Sequence, residues 1–498
     1  MHTPYQCHPQ KRGFLGRQTA ALLCGGLGLL LLGSAPAAQA ATITATSGNA
    51  SEVQAAINAA VDGDTVLIPA GTWTWATLVY IDSKTITLQG AGIDVTTLID
   101  GTDKVLRQPL FISSMLAIHS KEGGLTRITG ITFNGGTGPI DTNNKGIVQI
   151  RGTSKTFRVD HCRFIPTRVS GLTVYAPMGV IDHNIFEPVF SWDGLYVFNG
   201  VHWNGETNDY GDGSWADATY LGTDKAVFVE TNTFTAEAVT ADIWSIDGWM
   251  GERIVFRYNT INESVGLTTH GTASPGRWRG VRSFEVYNNT FSKTGAAYPA
   301  AIGISGGVGV VFNNTVTGPF THVGNYAVAR TLNSFAPWDK CDGSSVWDED
   351  QAGQSGYACL DQVGRGKGDL ISQFTPTPVG WTHEVLEPAY AWNNTLNGVV
   401  TGMNSASIPW ITEGRDFFNT PMPGYTPYTY PHPLTLTADT TGDLDGDGTV
   451  TLADLRLMIQ MLLGQTTVDL AKADLDGNGQ LGLGDVRALF LLLLKEPS

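Results

Sequence analysis

The sequence predicts an all-β chain wound as a right-handed parallel β-helix, plugged at its N-terminal end by a capping helix and followed by a small all-α module. Three observations predict this. One short motif recurs along the middle of the chain in a single register, and repeats at such spacing are the signature of a solenoid. Sixty glycines and only 15% charged residues describe a chain of turns and short strands. The C-terminal end carries an internal duplication of acidic loops, each leading into an apolar run.

The motif is a β-rich run, a polar residue, any residue and an apolar one. It occurs at 157–164, 180–186, 227–234, 254–261, 284–291, 310–316 and 390–396. The closing apolar residues lie 22, 48, 27, 30, 25 and 80 positions apart. Most gaps are one coil, and the two long ones are coils with large loops. Two places before each closing residue stand Cys162, Asn184, Asn232, Asn259, Asn289, Asn314 and Asn394. Asparagine is disfavoured in strands, so six in register imply a ladder. Stacked amides would bond to one another and to the turn backbone at a buried corner, with Cys162 replacing asparagine at one end.

Upstream, Ser51–Ala60 has helical apolar spacing, with Ser51 as the expected N-cap. Asp62-Gly-Asp-Thr-Val-Leu-Ile-Pro-Ala-Gly-Thr-Trp73 then enters the first strand. A solenoid needs such a plug over its open apolar end. The helix and this opening resemble the pectate-lyase-like β-helix superfamily over roughly residues 45–400, which implies a polysaccharide-active parallel β-helix.

Residues 1–40 read as a signal peptide. Lys11, Arg12 and Arg17 precede the apolar run Ala20–Leu32, and Ala38-Gln39-Ala40 is a small-x-small cleavage site. No other stretch is apolar and long enough to span a membrane. Without the three basic residues of this leader, 27 Lys and Arg face 46 Asp and Glu, an excess of 19 negative charges. Such a balance disfavours nucleic acid and anionic membranes as partners and suits a protein that holds cations. Cys7 and Cys24 fall in the leader; Cys341 and Cys359 flank one loop and are expected to pair after export, with Cys162 buried and free.

The β-helix is expected over 41–420, and the Pro- and Thr-rich stretch 421–442 reads as a linker. From 443 to 498 the pattern Asp443, Asp445, Asp447, Thr449, Asp454 recurs 31 residues later as Asp474, Asp476, Asn478, Gln480, Asp485. These are positions 1, 3, 5, 7 and 12 of a twelve-residue calcium loop, with Gly448 and Gly479 at the sharp turn in position 6. Each loop opens an apolar helix, Leu452–Leu463 or Leu483–Leu494, with no helix of comparable length before it. This pair of half EF-hands resembles type I dockerins. The resemblance implies two bound Ca2+ ions and a cohesin-type partner. Loop positions 10 and 11, which help select the cohesin, are Leu452, Ala453, Leu483 and Gly484.

For chemistry, the superfamily resemblance points to the strands that precede each repeat: Gly171–Tyr175, Ala241–Asp247, Gly266–His270 and Ala301–Ser305. Asp247 and His270 end consecutive strands, and Arg279 follows in the next loop; these three form the catalytic candidate. Six tryptophans fall between Trp192 and Trp278, which suits stacking on sugar rings. A second candidate is the column Asp160, Asp182, Glu230, Arg257 with the adjacent His161 and His183; Val159-Asp160-His161-Cys162 is similar to a pectate-lyase strand. The spacing Arg163-Phe-Ile-Pro-Thr-Arg168 departs from the R-x-P-x-x-R setting of those lyases. The leading reading is therefore a secreted polysaccharide-active β-helix protein, a lyase before a hydrolase, acting on an acidic polysaccharide. The alternative is a non-catalytic glycan-binding or surface-structural solenoid.

Overall fold

The computed structural model describes residues 40–107, 112–141, 145–188, 194–198, 202–205, 210–236, 244–263, 265–273, 276–345, 347–348, 358–366, 384–436, 442, 444, 450, 452–466, 470–475 and 480–493. The leader read at 1–40 lies outside them except for its last residue. No described helix is long and apolar enough to cross a membrane.

Among the described residues, the coils lay their strands on three sheets, of ten, twelve and eleven strands. One coil runs Val148–Gly152, Phe157–Asp160 and Arg163–Ile165 through the three in turn, and the next begins at Leu172–Val174, parallel to the first strand. The chain is thus a parallel β-helix. Among the described residues, antiparallel strand pairing is confined to Asn394–Leu396 with Val399–Thr401 and to Arg365–Gly366 with Val385–Leu386, with one isolated antiparallel bridge between Arg107 and Ile112. Side chains alternate across each strand, so Ile246, Leu267 and Ile302 point inward and are buried. The closing apolar residues Phe164, Phe186 and Phe234 are also inside and continue a stack from Phe133 of the preceding coil, at 5.2, 4.9 and 4.7 Å between ring centres.

The asparagine column forms the expected ladder at the corner between the twelve- and eleven-stranded sheets. The backbone N–H of Cys162 donates to Asn184 Oδ1 at 3.0 Å, Asn184 to Asn232 at 2.9 Å, Asn232 to Asn259 at 2.9 Å and Asn259 to Asn289 at 3.0 Å. Asn289 and Asn314 continue it to Asn394, each at 3.1 Å. At the end of the ladder, Cys162 Sγ lies 3.2 Å from Asp160 O and 3.9 Å from Ile128 O. Those carbonyls correspond to Asp182 O and Val159 O, which the Asn184 amide bonds one coil on. The residue before each rung is left-handed, from His161 at φ 47° and His183 at 52° to Thr231 at 58° and Asn393 at 53°. A non-glycine residue in that region costs about 1–3 kcal/mol and persists where its surroundings over-determine it; the ladder does so here.

The N-terminal helix covers Ala50–Ala59 and buries Val53, Ala56 and Ile57. Its N-cap is Asn49, not Ser51. Ser51 lies inside the first turn and donates to Glu52 instead. At the other end, Lys84 Nζ bonds the carbonyls of Ile57, Asn58 and Ala60 at 2.7, 3.0 and 2.6 Å, and a cation there also suits the helix dipole.

The stretch read as a linker differs from expectation. Residues 421–436 lie along the outer face of the twelve-stranded sheet. Met422, Tyr425, Tyr428 and Leu434 pack on the outward Val180, Phe228, Val255, Val310 and Phe312. Arg257 donates to the carbonyls of Tyr428 and Thr429, both at 2.8 Å, and His432 N to Glu230 Oε1 at 2.8 Å. Tyr430 stacks on Tyr258 at 3.7 Å. Composition marked this stretch as a linker, but its aromatic residues cover a sheet face that would otherwise expose apolar side chains.

Two predictions follow from these contacts. Asn289 accepts from both nitrogens of Asn259 and donates to Phe256 O, Tyr287 O and Asn314 Oδ1. Asn289→Ala strands several buried groups and should cost about 3 kcal/mol, read as a lower Tm; an unchanged Tm would show that the ladder contributes little. The second concerns the strap. Burial pushes the Glu285 carboxyl, to which Tyr425 donates, up to about 7 from its ordinary 4.5. Folded Glu285 thus holds its proton where the unfolded chain has lost it, and its contribution is present below about 4.5 and lost as pH rises to about 7. Burial and the Arg257 charge push His432 down to about 4, which acts in the opposite sense, lost as pH falls from 6.5. Glu285→Gln keeps the neutral form at every pH. Its stability relative to wild type, followed by calorimetry, should increase between pH 4.5 and 7 and stay level below 4.5; a difference independent of pH would contradict this.

Candidate functional site

The ten-stranded sheet carries the site. Strands Leu195–Val197, Trp244–Gly248 and Val265–Thr269 run in register, with Leu195 against Ile246 against Leu267 inside and Tyr196 against Asp247 outside. His270 is the next residue of the third strand, tied by its N–H to Gly248 O at 2.9 Å. Adjacent coils are about 4.8 Å apart, and the two side chains meet: His270 Nε2 is 3.1 Å from Asp247 Oδ2. A carboxylate on Nε2 places the proton there and the basic lone pair on Nδ1.

One outward row continues through this pair. The register that sets Ile150 against Val174, Val174 against Val197 and Val197 against Gly248 puts Arg151, Tyr175, Phe198, Trp249 and His270 one place further on, coil after coil. Arg151 lies over the Tyr175 ring at 4.9 Å, and Lys145 Nζ is 3.2 Å from the Tyr175 hydroxyl. Tyr175 stacks on Phe198 at 4.9 Å, and Trp249 meets Phe198 at 4.8 Å and His270 at 4.7 Å, both edge-on. Trp278 sits 5.9 Å from Trp249. Cations stand at one end of this aromatic row and an Asp–His pair at the other.

Inside the sheet, behind Asp247, lies Glu252. It is fully buried and neither carboxylate oxygen has a hydrogen-bond partner. Burial, with Asp247 nearby, pushes its carboxyl well above the usual range, so it is neutral. Gly248 makes room for it, since a Cβ there would fall 2.4 Å from Glu252 Oε2.

Arg279, the third candidate, is not on this face. It is buried, with Nε 2.9 Å from Asp361 Oδ2, Nη1 3.4 Å from Asp212 Oδ1 and Nη2 3.1 Å from Glu384 Oε1. Burial opposes its charge, but these carboxylates outweigh it and raise the guanidinium pKa further. A group so held is no base and meets no sugar. It clasps the large loop instead, because Asp361 follows the Cys341–Cys359 disulfide, which is formed, with Cys162 buried and free. Arg330 holds the same loop through Asp348 at 3.0 and 2.9 Å. Asp361 and Glu384 lie 82 and 105 residues from Arg279, so local sequence gave no signal of either.

The other candidate column is in register as expected, Asp160 against Asp182, Asp182 against Glu230 and Glu230 against Arg257. Its acids are buried in ion pairs: Arg127 with Asp160 at 2.7 Å, Arg158 with Asp182 at 2.9 Å, Arg257 with Glu230 at 2.7 Å. His161 and His183 stack at 5.2 Å, and each Nδ1 bonds the aspartate before it, at 2.9 and 2.8 Å. Asp160 and Asp182 are fully committed to this packing.

In the C-terminal module, Leu452–Leu462 and Leu483–Leu493 are helices, with a short turn of helix at Leu470–Ala473. They enclose Leu444, Met458, Met461, Ala473 and Leu489. Of the calcium-loop residues, Asp443, Asp445, Asp447, Thr449, Asp476 and Asn478 lie outside the described residues. Asp454 and Asp485, at position 12 of each loop, are fully buried. Asp454 Oδ1 accepts from Leu444 N at 2.6 Å, and Asp485 Oδ1 from Leu475 N at 2.8 Å. The same contact recurs in both halves and turns a buried carboxylate back on its own loop, a donor chemistry that fits a hard cation. Asp474 is half-buried and Gln480 exposed. Leu452 and Leu483 stand 71% and 76% exposed at the heads of the helices, open to a partner.

Residues 441–488 match the family model described as the Dockerin type I domain. The C-terminal module is a type I dockerin domain, and such domains bind calcium in EF-hand-like repeats and imply a cohesin partner. No curated protein matches the chain. Among solved structures it is similar to an alginate lyase from Paenibacillus sp. str. FPU-7, at 12% identity over 76% of this chain and 99% of that one with a TM-score of 0.30. It is also similar to the catalytic domain of a GH87 alpha-1,3-glucanase in complex with nigerose, at 12% identity over 77% and 68% with a TM-score of 0.31. Calorimetric titration of the chelated full-length protein with calcium should find two sites in this module, and Asp454→Ala or Asp485→Ala should each leave one. Two sites retained in either variant would overturn the ligand assignment.

Proposed function

We propose that the protein is an exported polysaccharide-active enzyme, a lyase that cleaves an acidic polysaccharide on the outer face of the ten-stranded sheet and is displayed through its dockerin. One observation carries this reading: the Asp247–His270 pair stands at the end of a row of Arg151, Tyr175, Phe198 and Trp249, one residue per coil. Tyr175 and Phe198 are buried and form the floor of the row, the half-buried Trp249 and Trp278 suit a sugar ring, and Arg151 with Lys145 suits the carboxylates of a uronate chain. His270 takes the proton next to the uronate carboxylate through Nδ1, while Asp247 steadies the imidazolium that forms. The bond to the next sugar breaks, its oxygen takes up a proton, and a carbon–carbon double bond remains in the product. The neutral Glu252 behind Asp247 adds no second negative charge to the face. Residues 1–40 serve as the export signal, and the exposed Leu452 and Leu483 face the cohesin.

The sequestration of Arg279 favours a second reading, glycan binding without turnover, because it withdraws a cation expected to stabilise the developing charge. An assay separates the two. Incubation with uronic-acid polymers should release product with the ultraviolet absorbance of the new double bond. His270→Ala should lower turnover by at least ~10²-fold, the scale of a lost general base. Its side chain is 32% exposed, so Tm should hardly move. Full activity in His270→Ala, or no unsaturated product from any uronate polymer, would end the lyase reading.

A further inference from the structure

A cavity of about 700 Å³ lies away from the Asp247–His270 face, where the turns at 153–156 and 177–179 lead toward the twelve-stranded sheet. Its walls come from residues 202–205 and 217–225 and from the strap at Tyr428, His432, Pro433 and Leu434. The volume is in the range of ligand pockets, and the lining is neither purely apolar nor of one charge.

The loop wall is built around Asp217. Its Oδ2 accepts from Trp203 Nε1 at 3.1 Å and its Oδ1 from the Tyr220 hydroxyl at 2.9 Å, which fixes both rings. Lys225 Nζ lies 3.8 Å over the Tyr220 ring. The strap wall contributes the Tyr428 ring and the imidazole of His432. His432 Nδ1 accepts from Leu434 N at 3.1 Å, which places the ring proton on Nε2 as a donor. At the rim Lys155 pairs with Glu122 at 3.0 Å, and Asp224 is exposed. Around the cavity the carboxylates Glu122, Asp217 and Asp224 outnumber Lys155 and Lys225. Arg253, stacked 4.1 Å over Trp203 behind the wall, brings the count to three against three, so no excess positive charge is there to hold a phosphate or uronate. A neutral polyhydroxyl compound would find acceptors in the carboxylates, donors in the lysines and histidine, and ring faces for its apolar side.

We propose that this cavity binds a neutral sugar, one or two units of an oligosaccharide, separately from the site on the ten-stranded sheet. Because the strap leading to the dockerin forms one wall, sugar binding and strap docking stabilise each other, as any ligand does for the state it binds.

The test is titration of the full-length protein with cellobiose, xylobiose and laminaribiose, with digalacturonate as the acidic counterpart, followed by calorimetry. At least one neutral disaccharide should bind saturably. Asp224→Ala and Tyr428→Ala should each weaken it about tenfold or more, a step of the size a single lost contact gives. The bound sugar should also slow protease cleavage within 421–436 of the wild-type protein. This readout stands even if Tyr428→Ala folds poorly. His270→Ala should bind the disaccharide as wild type does, so failure here leaves the lyase reading untouched and failure of that reading leaves this one. Binding of digalacturonate alone, no saturable binding of any neutral disaccharide, or affinity indifferent to both substitutions would overturn the proposal.

Discussion

The rest of the structure depends on the asparagine ladder. A parallel solenoid must turn a corner in every coil, and each turn leaves backbone groups inside a bend that water cannot reach. The amides from Asn184 to Asn394 answer this, each accepting from the backbone of the preceding coil and donating to carbonyls of its own strand or the preceding coil's. They also hold left-handed residues such as Thr231 and Tyr258, which no local preference would place there. Since every rung bonds to the next, the ladder fixes not only the corner but the rise from coil to coil. That rise sets the spacing of everything on the outer faces.

Given equal rise, the three faces differ in what covers them. The twelve-stranded sheet turns Val180, Phe228, Val255 and Val310 outward, and the strap 421–436 removes them from water. Its charged column is neutralised within the sheet by Arg127, Arg158 and Arg257. Buried ion pairs of this kind are costly to break and are weak evidence for chemistry. The ten-stranded sheet has an outward row of aromatic, basic and acidic side chains, ending in a histidine with a third of its side chain exposed. On the twelve-stranded sheet the carboxylates are buried, while the rings of His161 and His183 at the corner stay 56% and 46% exposed with their Nδ1 atoms turned to those carboxylates.

The sequence made legible what depends on period and register. The ladder, its terminal Cys162 and the adjacency of Asp247 and His270 follow from counting residues along coils, and the disulfide from two cysteines flanking one loop. Ser51 failed as a cap because the helix begins two residues earlier, at a boundary that Asn49 satisfies equally well by type. Residues 421–436 failed as a linker because composition does not say that an aromatic strap has a face to cover. Arg279 failed because its partners, Asp361 and Glu384, come from a distant loop whose docking has no repeat to follow. Arg151 and Glu252 were not singled out, although the strand register, once drawn, passes through the first and places the second inward.

The two long gaps in the repeat also take on a physical meaning. A coil of 48 or 80 residues rises no more than one of 25, because the ladder bonds across it unchanged: Asn184 to Asn232 and Asn314 to Asn394 have the same geometry as Asn232 to Asn259. The described parts of the extra chain lie outside the ladder's coils. The first excursion brings Trp203, Asp217 and Tyr220 to one wall of the cavity beneath the strap. The second brings the disulfide loop and Asp361 against Arg279. Each excursion is pinned by a hydrogen-bond or ion-pair centre, the half-buried Asp217 in the first and the buried Arg279 with Arg330 in the second. The regular core therefore supplies spacing, and the irregular insertions supply shape. Arg279 stands in a regular coil but is covered by the second insertion, and that is why it is buried although it stands so close in sequence to the face that carries His270.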